Sequence, residues 1–234
     1  MIATLNFQLT GQRALVTAGA QGIGLAITEA FLQQGAEVYI CDIDRAALDQ
    51  TKSKYPQVHI SHTDVGNESQ VLAMFADIQQ RFGQLDILVN NAGIAGPTAA
   101  IEDTVLAEWQ QTLDVNLTGA FLCTRSAVPL IKKANGGSIV NISSAAGRHG
   151  FPLRSPYSAT KFGVIGLTQT WAMELGPSGI RVNAILPGIV EGARQDRVLN
   201  AKAEAFGISL EAMRTRALER VSLRRMVSAQ DIAA

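Results

Sequence analysis

VTAGAQGIGLA, residues 16–26, joins a β-branched apolar run to an apolar run of helical period. Its glycines Gly19, Gly22 and Gly24 are spaced G-x-x-G-x-G, the reverse of the G-x-G-x-x-G usual in dinucleotide-binding loops. The run before it, RALVT (13–17), reads as a strand. After it, Ile23, Ala26, Ile27, Ala30 and Phe31 fall on one helical face and Gly35 stops the helix. A glycine turn in this place lets backbone N–H groups and the positive end of the helix approach a pyrophosphate. The same turn also serves simply to make the corner, so the three glycines do not decide the matter.

The rhythm continues along the chain. EVYIC (37–41), VHIS (58–61), DILVN (86–90), SIVNIS (138–143) and RVNAIL (181–186) alternate with helical patterns. Near-continuous apolar strands imply a sheet covered on both faces. The expected fold class is therefore α/β: a doubly wound parallel sheet of Rossmann type in three layers (α/β/α), with ligands outside the carboxyl ends of the strands. No linker or repeat divides the chain, so residues 1–234 are expected to form one domain. Within it, residues 189–225 turn helical, polar and arginine-rich, as a lid over a substrate pocket would be, or equally a solvated helical face. At the end, Ser228 and Asp231 have the spacing of a capping box with almost no helix behind it. The expectation is a poorly supported, abbreviated C-terminus with one strand of the fold missing.

With 47% hydrophobic residues and a formal net charge of zero, the chain can bury a large core but has no excess basic charge for nucleic acid or an anionic membrane. No basic, apolar leader and no apolar run long enough to span a bilayer is apparent. The expected setting is cytoplasmic, with a small molecule as partner, no nucleic acid and no membrane. Cys41 and Cys123 are too few for a disulfide framework, and no His, Cys and acidic set has metal-ligand spacing.

Two features carry chemistry. Asp42 ends the second strand, about 20 residues past the glycine loop, where a carboxylate meets the adenosine ribose. It accepts from two ribose hydroxyls and repels a 2′-phosphate, favouring NAD over NADP, although Asp42-Ile43-Asp44-Arg45 also suits the cap of the next helix. In SPYSATKFGV (155–164), Tyr157 and Lys161 are four apart and share a helix face. At a reference pKa of ~10 only about one tyrosine in a thousand is ionised at neutral pH, and a nearby ammonium favours that phenolate. Y-x-x-x-K alone is a common accident of helices.

In context it is more. The chain resembles the short-chain dehydrogenase/reductase family over nearly its whole length. That family's T-G-x-x-x-G-x-G loop is similar to TAGAQGIG, with Ala18 in place of the usual glycine. We expect Gly19 to absorb the turn and leave Ala18 in an ordinary conformation. The resemblance implies cofactor contacts from Ala18, Gln21, Gly22, Ile23, Asp42, Asp64, Val65, Asn91, Gly93, Tyr157, Lys161, Gly188 and Val190, with Gly192 where the family often has threonine. It further implies a catalytic set of Asn116, Ser144, Tyr157 and Lys161. Ser143 is a competing candidate, but the spacing to Tyr157 matches Ser144.

The function implied is hydride transfer between NAD(H) and a small polar alcohol or carbonyl compound: a sugar, polyol or hydroxy acid. An NADPH-dependent 3-oxoacyl-thioester reductase and a non-catalytic dinucleotide-binding regulator are the alternatives. Arg148, His149, Arg154, Arg194 and Arg197 are candidates for an anionic substrate group, although arginines without a ligand are commoner. Trp109, Trp171, Phe162 and Met173 read as helix core. By family resemblance the protein is a homodimer or homotetramer built on the helices around 106–134 and 156–175.

Overall fold

The computed structural model describes residues 8–234. Six parallel strands are present: β1 (Arg13–Thr17), β2 (Glu37–Asp42), β3 (His59–His62), β4 (Ile87–Asn90), β5 (Gly137–Ile142) and β6 (Ile180–Ile185). Their order is β3-β2-β1-β4-β5-β6, that of a doubly wound dinucleotide fold. The helices are α1 (Gly22–Gln33), α2 (Arg45–Lys54), α3 (Glu68–Phe82), α4 (Leu106–Leu113), α5 (Gly119–Lys133), α6 (Ser155–Leu175), α7 (Ala193–Phe206), α8 (Leu210–Leu218) and α9 (Ala229–Ala233).

Alternate residues of each strand feed two separate cores. Leu15, Tyr39, Leu88 and Ile139 join Met74, Leu122, Ile131 and Trp171 from α3, α5 and α6. Their neighbours Val16, Ile40 and Val89 join Ile27 and Leu48 from α1 and α2 on the opposite face. This double coverage explains why the strands read as unbroken apolar runs. Cys41 and Cys123 are buried, unpaired thiols in the first core.

Polar groups cross the sheet centre as well. Asn141 is fully buried; its Oδ1 accepts from Asn90 Nδ2 at 2.9 Å and its Nδ2 donates to Thr168 Oγ1 at 2.9 Å. These bonds fix β4 and β5 to α6 just below the site.

Three expectations are corrected. The C-terminal stub is supported: Ser228 and Asp231 do form the capping box, and Ala233 packs into the core beside α1. Tertiary packing supplies what a five-residue helix lacks. Phe162 and Met173 are 48% and 82% exposed, so helical spacing placed them wrongly; α6 is apolar on more than its core face. Trp171 is buried as expected.

The third correction is Ala18, whose φ is +49°, in the left-handed region. Gly19 does not absorb the turn, its φ lying outside the left-handed region, and it is glycine for another reason: a Cβ there would come within 2.7 Å of Ile40. Gly24 packs onto the Ala18 carbonyl with no room for a side chain. The left-handed positions are Ala18 and Gly22 instead.

Ala18→Gly should therefore stabilise the protein. Relief of an L-residue in that region is worth about 1 kcal/mol, partly offset by the added freedom of the unfolded chain. The urea midpoint is expected to rise; a fall would show that the Ala18 methyl group makes contacts worth more than the strain.

Candidate active site

At the glycine loop, the Gly19 N–H donates to Cys41 O at 3.0 Å, tying the loop to the end of β2. Asn91 Nδ2 donates to Thr17 O and Ala18 O at 3.0 and 3.1 Å, so Asn91 holds the loop from the β4 side. Thr17 Oγ1 accepts from the N–H groups of Asn91 and Ala92 at 2.9 Å each. Thr17's part had no sequence signal beyond its place in the glycine motif.

The N-terminus of α1, at Gln21, receives no side-chain cap and has no acidic residue in its first turn. A Cβ at Gly22 or Gly188 would meet nothing within 4 Å, so both glycines face open space. A pyrophosphate and a flat ring fit such a cradle: free N–H groups and a positive helix end on one side, bare backbone on the other.

Asp42 is buried, and its carboxylate accepts from the N–H groups of Ala20 (3.3 Å) and Asp44 (3.1 Å). The cap of α2 is Asp44, which accepts from Ala47 N at 3.0 Å and from Gln21 Nε2 at 2.6 Å. Asp42 is thus aimed at the glycine loop rather than used as that cap. Arg45, the nearest cation in sequence, pairs with Asp49 at 3.6 Å. Asp64 accepts from Gly66 N at 2.9 Å, and Val65 is buried against Gly119.

The catalytic candidates lie at the carboxyl ends of β4 and β5. Between α4 and α5 the helix widens into a π-helical turn, Asp114–Thr118, and this turn carries Asn116. Such turns collect at functional sites. Asn116 Oδ1 accepts from Ile94 N at 2.7 Å, while Nδ2 donates to Ile94 O at 3.0 Å and Thr160 Oγ1 at 3.2 Å. Its carboxamide clamps the loop after β4, bringing Gly93 beside Lys161. A Cβ on Gly93 would stand 3.1 Å from Asn116 Oδ1 and 3.6 Å from Lys161 Nζ.

The two serines separate cleanly. Ser143 is buried and its hydroxyl donates to Lys161 O at 2.8 Å. Ser144 is half-buried and its Oγ accepts from Ala146 N at 3.2 Å, which leaves its proton for another acceptor. Ser144 is the serine equipped to bind a substrate oxygen.

Lys161 is only 4% exposed, and its Nζ donates to Ile142 O at 2.8 Å. Burial, helped by the charge of Arg194, pushes its pKa down to about 7. The Tyr157 ring lies between two cations, with Lys161 Nζ 5.7 Å and Arg154 Cζ 5.1 Å from its centroid.

Beyond β6, Val190 bridges to Val227, closing residues 191–226 into a loop of two helices. Leu199, Ala203 and Met213 give these helices a small core of their own. Arg194 NH1 donates to Gly93 O at 3.0 Å. Of the other cations considered, Arg148, His149 and Arg197 are exposed, whereas Arg154 is buried. Sequence reasoning missed Lys202, which is buried with Nζ 3.9 Å from the Phe151 ring centroid. A lone lysine in a polar helix carries no signal. Among the described residues, no group of His, Cys, Asp and Glu could hold a metal, and no helix is long and apolar enough to cross a membrane.

Fold, glycine cradle and the Ser144, Tyr157 and Lys161 arrangement together define a nicotinamide-dinucleotide oxidoreductase. Residues 12–203 match the family model described as short chain dehydrogenase, and the chain belongs to that family. A 3-alpha-(or 20-beta)-hydroxysteroid dehydrogenase of Mycobacterium bovis is 45% identical over 83% of this chain and 75% of its own length. The trans-4-hydroxycyclohexanecarboxylate dehydrogenase of Sinomonas cyclohexanicum is 42% identical over 76% and 72%. Among solved structures, NAD+-bound xylitol dehydrogenase superposes with a TM-score of 0.93 at 29% identity, covering 97% of this chain and 91% of that one. Similar structures include both NAD+ and NADPH complexes, so the shared architecture implies NAD(P).

The lowered pKa of Lys161 has a measurable sign. The unfolded chain keeps this proton up to the ordinary value of 10.5, whereas the folded protein releases it near 7. Across that interval the unfolded state binds more protons, so stability rises with pH. Lys202, held down at about 8, acts in the same direction. Without added dinucleotide, Lys161→Met is expected to lose much of the wild-type gain in stability between about pH 7 and 10, followed by urea unfolding. Parallel pH profiles for the two proteins would show that Lys161 is not held neutral.

Proposed function

We propose that the chain transfers a hydride between NAD(H) and a small polar alcohol or carbonyl compound, namely a sugar, polyol or hydroxy acid. The observation that carries this reading is the buried Lys161 ammonium beside Tyr157. A bound nicotinamide supplies the hydride donor or acceptor. The Tyr157 hydroxyl exchanges the proton of the carbinol oxygen, and Ser144 donates to that same oxygen as its charge changes. Protonated Lys161 favours the Tyr157 phenolate and is placed to bind ribose hydroxyls. Asn116 holds the Gly93–Ile94 loop against Lys161 and positions a water that relays its proton to solvent.

Gln21, Gly22 and Ile23 offer backbone N–H groups to the pyrophosphate, with Ala18 setting the turn before them. Asn91 and Gly93 would border the nicotinamide ribose, Gly188 and Val190 the carboxamide, and Asp64 and Val65 the adenine edge. NAD rather than NADP is favoured by Asp42, a buried carboxylate where a 2′-phosphate would have to fit.

Residues 189–225 form the substrate lid, hinged at the Val190–Val227 bridge. Buried thiols at Cys41 and Cys123 suit a reducing cytoplasm. Assembly as a homodimer or homotetramer through α4, α5 and α6 is supported by the exposed apolar side chains of Leu106, Phe121, Phe162 and Met173.

The test uses a panel of sugars, polyols and hydroxy acids with NADH and NADPH, or their oxidised forms. Tyr157→Phe should lower kcat by about 10³-fold while NADH binding persists. Asp42→Ala should erode the preference for NAD over NADP. Unchanged turnover in Tyr157→Phe, or a wild-type preference for NADP, contradicts the reading.

A further inference from the structure

Arg154 is in an unfavourable position by three criteria. It is 2% exposed, it is the N-cap residue of α6, and of its guanidinium nitrogens only NH2 has a partner, the carbonyl of Ala95. Nε and NH1 are buried with no hydrogen-bond partner. An arginine does not give up its proton, and the positive end of a helix repels it.

A second buried cation lies close enough to feel its charge. Lys202 of α7 is 9% exposed, and its Nζ stands over the ring of Phe151, three residues before Arg154. Neither forms an ion pair within 4 Å with any carboxylate of the described residues. Besides Tyr157, which favours the charge of Arg154, the groups that act on the pair are cations. Arg194 acts on Arg154, and Arg154, Arg216 and Arg220 act on Lys202, so burial and like charge together lower the pKa of Lys202. Buried polar groups in native proteins are almost always partnered, and exceptions collect where a ligand completes the set.

The position limits the ligand. Arg154 Cζ lies 5.1 Å from the Tyr157 ring centroid, and Lys202 belongs to the segment read above as the lid. An anion held by both would lie beside the Tyr157 ring and join α6 to the segment 189–225.

We propose that the substrate carries a carboxylate, bound under the lid by Arg154 Nε and NH1 and by Lys202 Nζ, a few bonds from the carbinol carbon. This rests on the reading of Tyr157 as the proton-transferring group, and it narrows the substrates named there to hydroxy and oxo acids.

The test is binding, independent of turnover. Cyclohexanecarboxylate, its neutral carboxamide and inorganic phosphate are titrated calorimetrically into the full chain, with and without NADH. The carboxylate should bind at least about tenfold more tightly than the amide, as expected for charge-assisted hydrogen bonds, and more tightly than phosphate. Arg154→Gln and Lys202→Met should each reduce that preference. Lys202→Met leaves the Arg154–Ala95 contact intact, so loss of preference there cannot be laid to collapse of the α6 entry. Equal binding of acid and amide, tighter binding of phosphate, absence of binding, or a preference that survives both substitutions overturns the proposal. Failure of hydride transfer with every substrate, while the carboxylate preference is present, sinks the proposed function instead.

Discussion

The burial of the Lys161 ammonium is the constraint on which the rest of the site depends. Its Nζ lies at the end of β5 with one backbone oxygen, Ile142 O, as its hydrogen-bond acceptor and, among the described residues, no carboxylate within 4 Å. Removing an ion from water costs several kcal/mol unless hydrogen bonds and opposite charge compensate. The protein compensates only in part, and the residual drive is to lose the proton. In the function proposed above, a phenolate at Tyr157 and the hydroxyls of a bound ribose would be the partners that reverse it. The chemistry is thus written into an electrostatic deficit.

Several features of the fold serve to maintain that deficit. The Asn90–Asn141–Thr168 network fixes the strand ends against α6, so the lysine enters from a rigid helix. The π-helical turn carries Asn116 to Ile94, and the resulting clamp holds Gly93 where a side chain would crowd the Asn116 carboxamide, beside the ammonium. Ser143 ties the Lys161 carbonyl to the end of β5, and Ser144 keeps its hydroxyl proton unused. The cations converge on the side where α7 crosses the site, and Arg194 at Gly93 O joins that helix to the loop.

Much of this was legible in the chain, for identifiable reasons. The parallel sheet covered on both faces follows from apolar runs alternating with helical ones, because period and burial are local properties of sequence, whereas the strand order rests on pairing between distant segments. Tyr157 and Lys161 could be placed on one helix face, and Asp42 at a strand end, because spacing encodes register, whereas Asn116 and Ser144 were singled out only through the family resemblance. Ala18 was misjudged because the glycine beside it was read as the flexible residue, whereas Gly19 is required by its packing on Ile40 and the left-handed turn falls at Ala18, whose carbonyl is held by Asn91. Phe162 and Met173 fit a helical apolar pattern and still face outward, since periodicity cannot distinguish a core from an exposed apolar face. Lys202 was invisible because its meaning lies in what stands opposite it across 51 residues of chain, Phe151.

The most direct test is the titration of Lys161 itself. Nitrogen-15 NMR of the lysine side chains, with Lys161→Met to assign the resonance, reports protonation at that one atom. Without dinucleotide the Lys161 signal should titrate near pH 7, far below the ordinary 10.5, and it should move upward when NADH is bound. A titration near 10.5 without dinucleotide would contradict the account, since the ammonium would then be as comfortable in the fold as in water.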